Sequence, residues 1–326
     1  MLNKNKSYKI NKQSILIFGV TGQDGSLLAK EYLDKGYAIH GVITSKKFSP
    51  RNLDKLNIRD EIILYHFKNF NKSAVEFLIK KSQCSKIFIL SGISSVKKSE
   101  KKKYETITSN NLVLIEIMEF LRLKNIKKIK IFNATSGEIF GDNSRPNNEN
   151  SKLNPLSFYA LAKSISLEIS RSYREQFNLK IYNGILFNHE SYLRPKTYVI
   201  KKIISSAKKI TRKKLNHLTL GNTSVYRDWG WAPEYVKIIF KIMDKNKADD
   251  FIIATGKITK LEDIVDKVFK LFKLNKKKHL KKSKNFKRTL EPLKIIADIS
   301  KLKSNIQSVP AIRIDEIIKF MIIREN

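Results

Sequence analysis

Tyr159 and Lys163 stand four residues apart in Tyr159-Ala160-Leu161-Ala162-Lys163, a spacing that sets two side chains on one face of a helix. An ammonium beside a phenol lowers the phenol's pKa, and the resulting phenolate can take the proton of a hydroxyl that is being oxidised. Such a pair arises often in a lysine-rich chain, so its weight comes from a second group of residues. Ser136 and Glu138 lie in Ala134-Thr135-Ser136-Gly137-Glu138-Ile139-Phe140-Gly141, directly after an apolar run. A hydroxyl, with Thr135 as the alternative to Ser136, and a carboxylate just past a strand are residue types suited to acid/base chemistry. The bland reading has Ser136 and Glu138 lining a loop. Tyr159 and Lys163 weigh against it.

A glycine-rich turn supplies the place for a cofactor. Gly19-Val20-Thr21-Gly22-Gln23-Asp24-Gly25 ends one apolar run and opens a helical segment. Backbone N–H groups in such a turn approach a pyrophosphate closely, and the helix N-terminus favours its charge. Gly19, Thr21, Gly22, Gln23, Asp24 and Gly25 are therefore the cofactor-binding candidates, with Tyr159 and Lys163 at the nicotinamide end. An acid closing the second strand would bind the ribose of NAD, whereas basic residues accommodate the 2′-phosphate of NADP. The sequence there, Gly41-Val42-Ile43-Thr44-Ser45-Lys46-Lys47, has no acid. NADP is the expectation, NAD stays open, and Lys46, Lys47 or Arg51 is the candidate for the phosphate.

The elements that must position these residues alternate. Apolar runs at 14–19, 37–43, 61–66, 86–90 and 129–133 read as strands, with helical segments at 25–35, 73–81 and 110–123 between them. That alternation argues for an α/β chain with a Rossmann-type doubly wound parallel sheet. A helix over 158–177 carries Tyr159 and Lys163; past residue 188 the alternation gives way to a basic helix near 198–209 and shorter elements. The expected organisation is a basic N-terminal extension (1–13), a dinucleotide-binding domain (14–187) and a smaller C-terminal substrate-binding domain (188–326). Residues 250–255 read as a strand returning to the main sheet. Residues 143–155 read as a polar surface loop, and the lysine-rich stretch 273–288 as disordered or a solvated connection.

Composition bounds the rest. The 326 residues suffice for two lobes. Cys84 is the sole cysteine, which excludes an internal disulfide and fits a reducing compartment. No run approaches the roughly 20 apolar residues of a membrane span, and the basic start leads directly into the glycine turn, unlike a cleaved leader. A cytoplasmic protein is expected, without a metal. Lys and Arg number 65 against 30 acids, a net charge of +35. Phosphate-backbone binding is one explanation, but the lysines are scattered and no nucleic-acid motif accompanies them. Composition is the preferred reading, and the field still draws in anionic nucleotides.

The most specific signal is Asn183-Gly184-Ile185-Leu186-Phe187-Asn188-His189-Glu190-Ser191, followed by Leu220-Gly221-Asn222 and Arg227-Asp228-Trp229-Gly230. With the glycine turn, Ser136, Glu138, Tyr159 and Lys163, the chain over about residues 14–256 resembles the GDP-mannose 4,6-dehydratases of the extended short-chain dehydrogenase/reductase family. The resemblance implies a lyase of deoxysugar biosynthesis that turns GDP-mannose into GDP-4-keto-6-deoxymannose and water by internal hydride transfer, as a homodimer or homotetramer. It implies Tyr159 as base at the carbon-4 hydroxyl, Lys163 tuning it, Ser136 holding the substrate oxygen and Glu138 taking the carbon-5 proton. Ser94, Asn188 and Glu190 would bind substrate and Arg227 its diphosphate, with His189 structural.

The departures are local. Thr44 and Ser45 replace an arginine pair, Phe140 replaces tyrosine, Leu193 replaces an arginine while Arg194 is kept, and Glu291-Pro292 stands at an Arg-Pro step that Arg288 would have to compensate. They bear on the cofactor phosphate, one diphosphate contact and the tetramer. The rival readings are a related nucleotide-sugar epimerase, reductase or decarboxylase, some of which carry the same glutamate, and a non-catalytic sugar-nucleotide-binding or nucleic-acid-binding protein.

Overall fold

The computed structural model describes residues 10–43, 49–67, 70–283 and 290–324. Lys46, Lys47, Thr44, Ser45 and Arg288, and most of the expected N-terminal extension, lie outside the described residues. Along the chain run β1 (Asn11–Phe18), α1 (Gln23–Leu33), β2 (Ala38–Ile43), α2 (Arg51–Lys55), β3 (Ile62–His66), α3 (Lys72–Ser82), β4 (Cys84–Ile89), α4 (Val96–Lys101), α5 (Lys103–Leu123), β5 (Lys130–Ser136) and α6 (Phe158–Phe177). There follow β6 (Lys180–Leu186), β7 (Asn188–Glu190), α7 (Val199–Thr211), β8 (Leu218–Leu220), β9 (Tyr226–Trp231), α8 (Ala232–Asp244), β10 (Asp250–Ile253) and β11 (Ile258–Lys260). The last elements are α9 (Leu261–Leu271), α10 (Lys276–His279), β12 (Leu280–Lys282), α11 (Ser300–Ile306) and α12 (Ile314–Ile323).

Seven strands form one sheet in the order β10-β6-β5-β4-β1-β2-β3, with β1 parallel to both β2 and β4. Ile15 to Phe18 are all buried, as a strand covered on both faces requires. The order reverses at β1 and β4, the switch point at which such sheets bind dinucleotides. The expected Rossmann-type sheet is present, and the returning strand is β10. Asn183 N–H donates to Asp249 O at 3.1 Å and Phe187 N–H to Ile253 O at 3.0 Å, an equal advance that marks β6 and β10 as parallel. Asp250, nearly buried, accepts from Arg171 Nε (2.6 Å), Arg174 Nη1 (2.8 Å) and Asn183 Nδ2 (2.7 Å). Helix α5 begins at Lys103 rather than near 110, because residues 103–105 are exposed and leave no apolar periodicity to read.

The chain divides into two compact units that interleave: Met1–Ile139, Ser157–Ile185 and Val236–Phe251, and then Phe140–Leu156, Leu186–Tyr235 and Ile252–Asn326. Residues 236–251 join the first unit because Phe240 packs on Tyr32 at 4.8 Å and Asp244 pairs with Lys86 at 2.9 Å. Residues 140–156 join the second because Asn147, fully buried, exchanges hydrogen bonds with Ile296 and Asp298. The stretch expected as a surface loop thus carries two buried polar groups, the other being Glu149, which accepts from Ile252 N–H at 2.9 Å.

In the second unit β9 pairs antiparallel with β11 and parallel with β7, and β12 pairs with β8. Its core joins α7, α9 and α12 through Ile203, Val265, Val268, Ile317 and Met321, with Trp229 and Trp231 of β9. The described part of 273–288 is not a bare connection. It forms α10 and β12, and Leu274 and Leu280 pack on this core, two apolar anchors that the surrounding lysines mask in the sequence. Among the described residues no helix is long and apolar enough to cross a membrane.

Candidate active site

The glycine turn sits at the switch point. Gly19 has φ +85°, and a Cβ there would lie 2.9 Å from the backbone of Leu90 and Ser91, just past β4. A Cβ on Gly25 would lie 2.2 Å from Gly19 O. The turn is closed by Gly22 N–H donating to Gly19 O at 3.0 Å. Gly22 is also the N-cap of α1, so its residue has no side chain to compete for the first-turn N–H groups. A turn packed so closely that Gly19 and Gly25 have no room for a Cβ, beside a helix N-terminus, fits the pyrophosphate of a nicotinamide dinucleotide. Gln23 Nε2 donates to Asp24 Oδ1 at 3.0 Å, and Thr21 O accepts from Asn52 Nδ2 of α2 at 3.1 Å. Arg51, at the first residue of that helix, is exposed.

The end of β5 holds Ser136 and Glu138 and anchors Lys163. Ser136 is the last residue of β5 and Glu138 lies in the 3-10 turn Gly137–Phe140. Glu138 N–H donates to Ser136 Oγ at 3.3 Å. The alternative hydroxyl, Thr135, points to the other face of the strand and donates to Gly184 O of β6 at 3.2 Å. Lys163 Nζ crosses from α6 to donate to Ala134 O at 2.8 Å. Burial lowers the Lys163 pKa from 10.5 to about 8. Tyr159 is one turn earlier, half-buried, and its N–H donates to Ser99 Oγ of α4 at 3.1 Å. Asn111 Nδ2 of α5 holds Ala162 O at 3.2 Å. The anchoring groups Ala134 O, Ser99 and Asn111 were invisible to motif reading, since a backbone carbonyl has no sequence signal and the other two lie in helices without a motif.

The substrate candidates divide between the units. Ser94 is exposed in the first, ahead of α4. In the second, Asn188 begins β7 opposite Trp229. Glu190 is buried, with Arg194 Nε at 3.6 Å, and Arg227 is buried with Nη1 donating to Tyr226 O at 2.7 Å. His189 behaves as a structural residue, its Nδ1 at 2.7 Å from Phe187 O and its ring stacked on Tyr235 at 4.5 Å. Asp228, beside Arg227, is fully buried. It accepts from Thr255 N–H (3.0 Å), Thr255 Oγ1 (2.8 Å) and Lys257 N–H (3.1 Å), and burial raises its carboxyl from 3.8 to about 6.

Known proteins are similar to this chain in sequence and, separately, in fold. The family model for GDP-mannose 4,6 dehydratase matches residues 16–321. GDP-mannose 4,6 dehydratase 2 of Caenorhabditis elegans is 37% identical over 254 residues, covering 74% of this chain and 66% of that protein. GDP-mannose 4,6 dehydratase 1 of Arabidopsis thaliana is 30% identical over 317 residues, covering 94% of this chain and 88% of that protein. Among solved structures, a dTDP-glucose 4,6-dehydratase from Bacillus anthracis in complex with NAD superposes with TM-score 0.83 at 17% identity, covering 96% of both chains, which speaks to the fold. Sequence and architecture together place the chain in the GDP-mannose 4,6-dehydratase family.

Proposed function

We propose that the protein converts GDP-mannose to GDP-4-keto-6-deoxymannose and water with bound NADP, as a cytoplasmic homodimer or homotetramer. Family membership supports nucleotide-sugar 4,6-dehydration. The observation that carries the chemistry is at the end of β5, where Glu138 N–H bonds Ser136 Oγ while Lys163 reaches Ala134 O of the same strand. A bound nicotinamide would supply the redox chemistry, an internal hydride transfer between carbon 4 and carbon 6.

The chain's own residues do the rest. Gly19, Gly22 and Gly25 let the backbone approach the pyrophosphate, with Thr21, Gln23 and Asp24 in the same turn and Arg51, Lys46 or Lys47 at the 2′-phosphate. Tyr159 takes the carbon-4 hydroxyl proton, and the Lys163 ammonium behind it favours the phenolate. Ser136 donates to the carbon-4 oxygen. Glu138 removes the carbon-5 proton, which the 4-keto group acidifies, and passes it to the carbon-6 hydroxyl, which leaves as water. Ser94, Asn188 and Glu190 are assigned to the substrate and Arg227 to its diphosphate.

The test is incubation of purified protein with GDP-mannose, with UDP-glucose, dTDP-glucose and UDP-glucuronate run in parallel, and mass spectrometry of the products. Loss of one water from GDP-mannose, without stoichiometric NADPH consumption, is expected. Conversion of another sugar nucleotide alone, or steady NADPH oxidation coupled to product, would overturn the assignment in favour of a related epimerase, decarboxylase or reductase.

A further inference from the structure

We infer that Ser99, with Glu100 beside it, is a positioning residue for Tyr159: helix α4 supplies the cap that holds the first turn of α6, and with it the phenol, in place. The inference rests on the reading of Tyr159 as the base. The first N–H groups of any helix have no partner within it, and first turns fray. Tyr159 is the second residue of α6, in the part of the helix least able to fix its own orientation. Lys163, a turn deeper, does not share the problem, because its Nζ is tied to Ala134 O.

The hydrogen bonds at this helix end account for each of the three leading donors. Ala160 N–H goes to Ser157 Oγ at 3.1 Å, the ordinary cap from within the helix's own approach. The other two leave the helix altogether. Phe158 N–H goes to Glu100 Oε1 at 3.4 Å, and Tyr159 N–H to Ser99 Oγ at 3.1 Å, from residues 58 and 60 positions earlier. Ser99 is fully buried, and its hydroxyl proton is committed to Val96 O at 2.7 Å. Its oxygen is thereby oriented as a pure acceptor toward Tyr159 N–H. Lys103 Nζ lies 4.8 Å from the centre of the Phe158 ring, a further contact on the same turn.

The tether also gives α4 a role that its lysine-rich sequence hides. Ser95 caps α4 by accepting from Lys98 N–H at 3.3 Å. Ser94, the substrate candidate, directly precedes that cap. One short helix thus runs from the substrate candidate at its start to the backbone of the proposed base near its end. A residue that holds a reacting group sets the attack geometry, and a misplacement of about 1 Å can cost about a hundredfold in rate.

The experiment compares wild type, Ser99→Ala, Ser99→Thr and Asn71→Ala in the full-length chain. Asn71 caps α3 by accepting from Ala74 N–H at 3.0 Å, so its loss controls for a cap removed far from Tyr159. Two readouts are taken: amide hydrogen exchange of the segment containing residues 158–160, and steady-state kinetics with GDP-mannose. Ser99→Ala should speed exchange there by about fivefold or more, the loss of one net hydrogen bond. It should lower kcat about 10- to 100-fold with KM changed less than about threefold. Ser99→Thr should restore most of both, and Asn71→Ala should leave both unchanged. Unaltered exchange in Ser99→Ala overturns the tether, and faster exchange with unaltered kcat overturns the positioning role. If wild type converts none of the four sugar nucleotides, the functional proposal falls on that result, while the exchange data still decide whether Ser99 holds the Tyr159 turn.

Discussion

Lys163 Nζ donates to the carbonyl oxygen of Ala134 at 2.8 Å, which pins the amine of α6 to the strand that ends in Ser136. The bond fixes position, and burial sets the protonation behaviour, lowering the pKa from 10.5 to about 8. The folded chain therefore holds this proton less tightly than the unfolded chain does. Between those two values the unfolded state binds more protons, so the lysine's contribution to stability rises with pH across that window.

Replacing the amine makes this measurable. In Lys163→Met the titration is gone, so the stability gap between wild type and variant should move in wild type's favour from pH 7 to pH 10.5. The drop in pKa corresponds to about 3 kcal/mol at most. Urea denaturation of both proteins across that range reads it directly. A gap that stays constant would mean the ammonium is not desolvated in the fold. Turnover of the variant should fall about 100- to 10,000-fold, the cost of losing one group that tunes an acid/base residue.

The glycine turn should tolerate no methyl group at Gly25. A Cβ there would stand 2.2 Å from Gly19 O and 2.8 Å from Gly19 C and Val20 Cα, all of them backbone atoms, so relief requires α1 or the turn to shift. Gly25→Ala is expected to cost about 1–3 kcal/mol of stability, the range for overpacking, and to weaken cofactor binding at least about tenfold as the N–H groups move off the pyrophosphate. Calorimetric titration with the dinucleotide together with a thermal melt decides it. Unchanged affinity in the folded variant would show that the turn does not hold the cofactor.

What the sequence revealed and what it hid divide along a physical line. Strands such as β1 and β5 and the helix α6 were legible because burial on two faces leaves apolar runs, and burial on one leaves helical periodicity. The placement of residues 140–156 was not legible. Buried Asn147 joins that segment to Ile296 and Asp298, and a polar residue satisfied by a distant backbone looks like any loop asparagine. Asp250 was foreseen only as part of a strand, not as the carboxylate gripped by Arg171 and Arg174. At the candidate site, Tyr159 and Lys163 were proposed from spacing and Ser136 and Glu138 from the family resemblance, while Ala134 O could not be named, because backbone atoms carry no residue-specific mark.

Glu138→Gln should separate the two halves of the reaction. Tyr159 and Lys163 remain intact in this variant, so oxidation at carbon 4 should persist and nicotinamide absorbance should rise in a single burst. Water elimination should slow by about 100- to 10,000-fold, the usual loss for one acid/base group. Rapid-mixing absorbance paired with mass spectrometry of quenched samples follows both steps. Undiminished dehydration would remove this carboxylate from the mechanism.

The cofactor's phosphate is the last point that binding data can decide. The run from Gly41 to Lys47 carries no acid, so nothing there favours the free ribose hydroxyls of NAD. Arg51 opens α2, and its neighbour Asn52 donates to Thr21 O at 3.1 Å, tying that helix to the glycine turn. A guanidinium on a helix tied to the turn suits a 2′-phosphate, with Lys46 and Lys47 the further candidates in the preceding segment. NADP should therefore bind about ten- to a hundredfold more tightly than NAD, the value of one charge-assisted hydrogen bond. Because Arg51 is exposed, added salt should shrink the preference. Calorimetry with both dinucleotides on wild type, Arg51→Ala, Lys46→Ala and Lys47→Ala settles the matter. Equal affinities in wild type would end the NADP assignment, and a preference that survives all three substitutions would put the phosphate elsewhere on the chain.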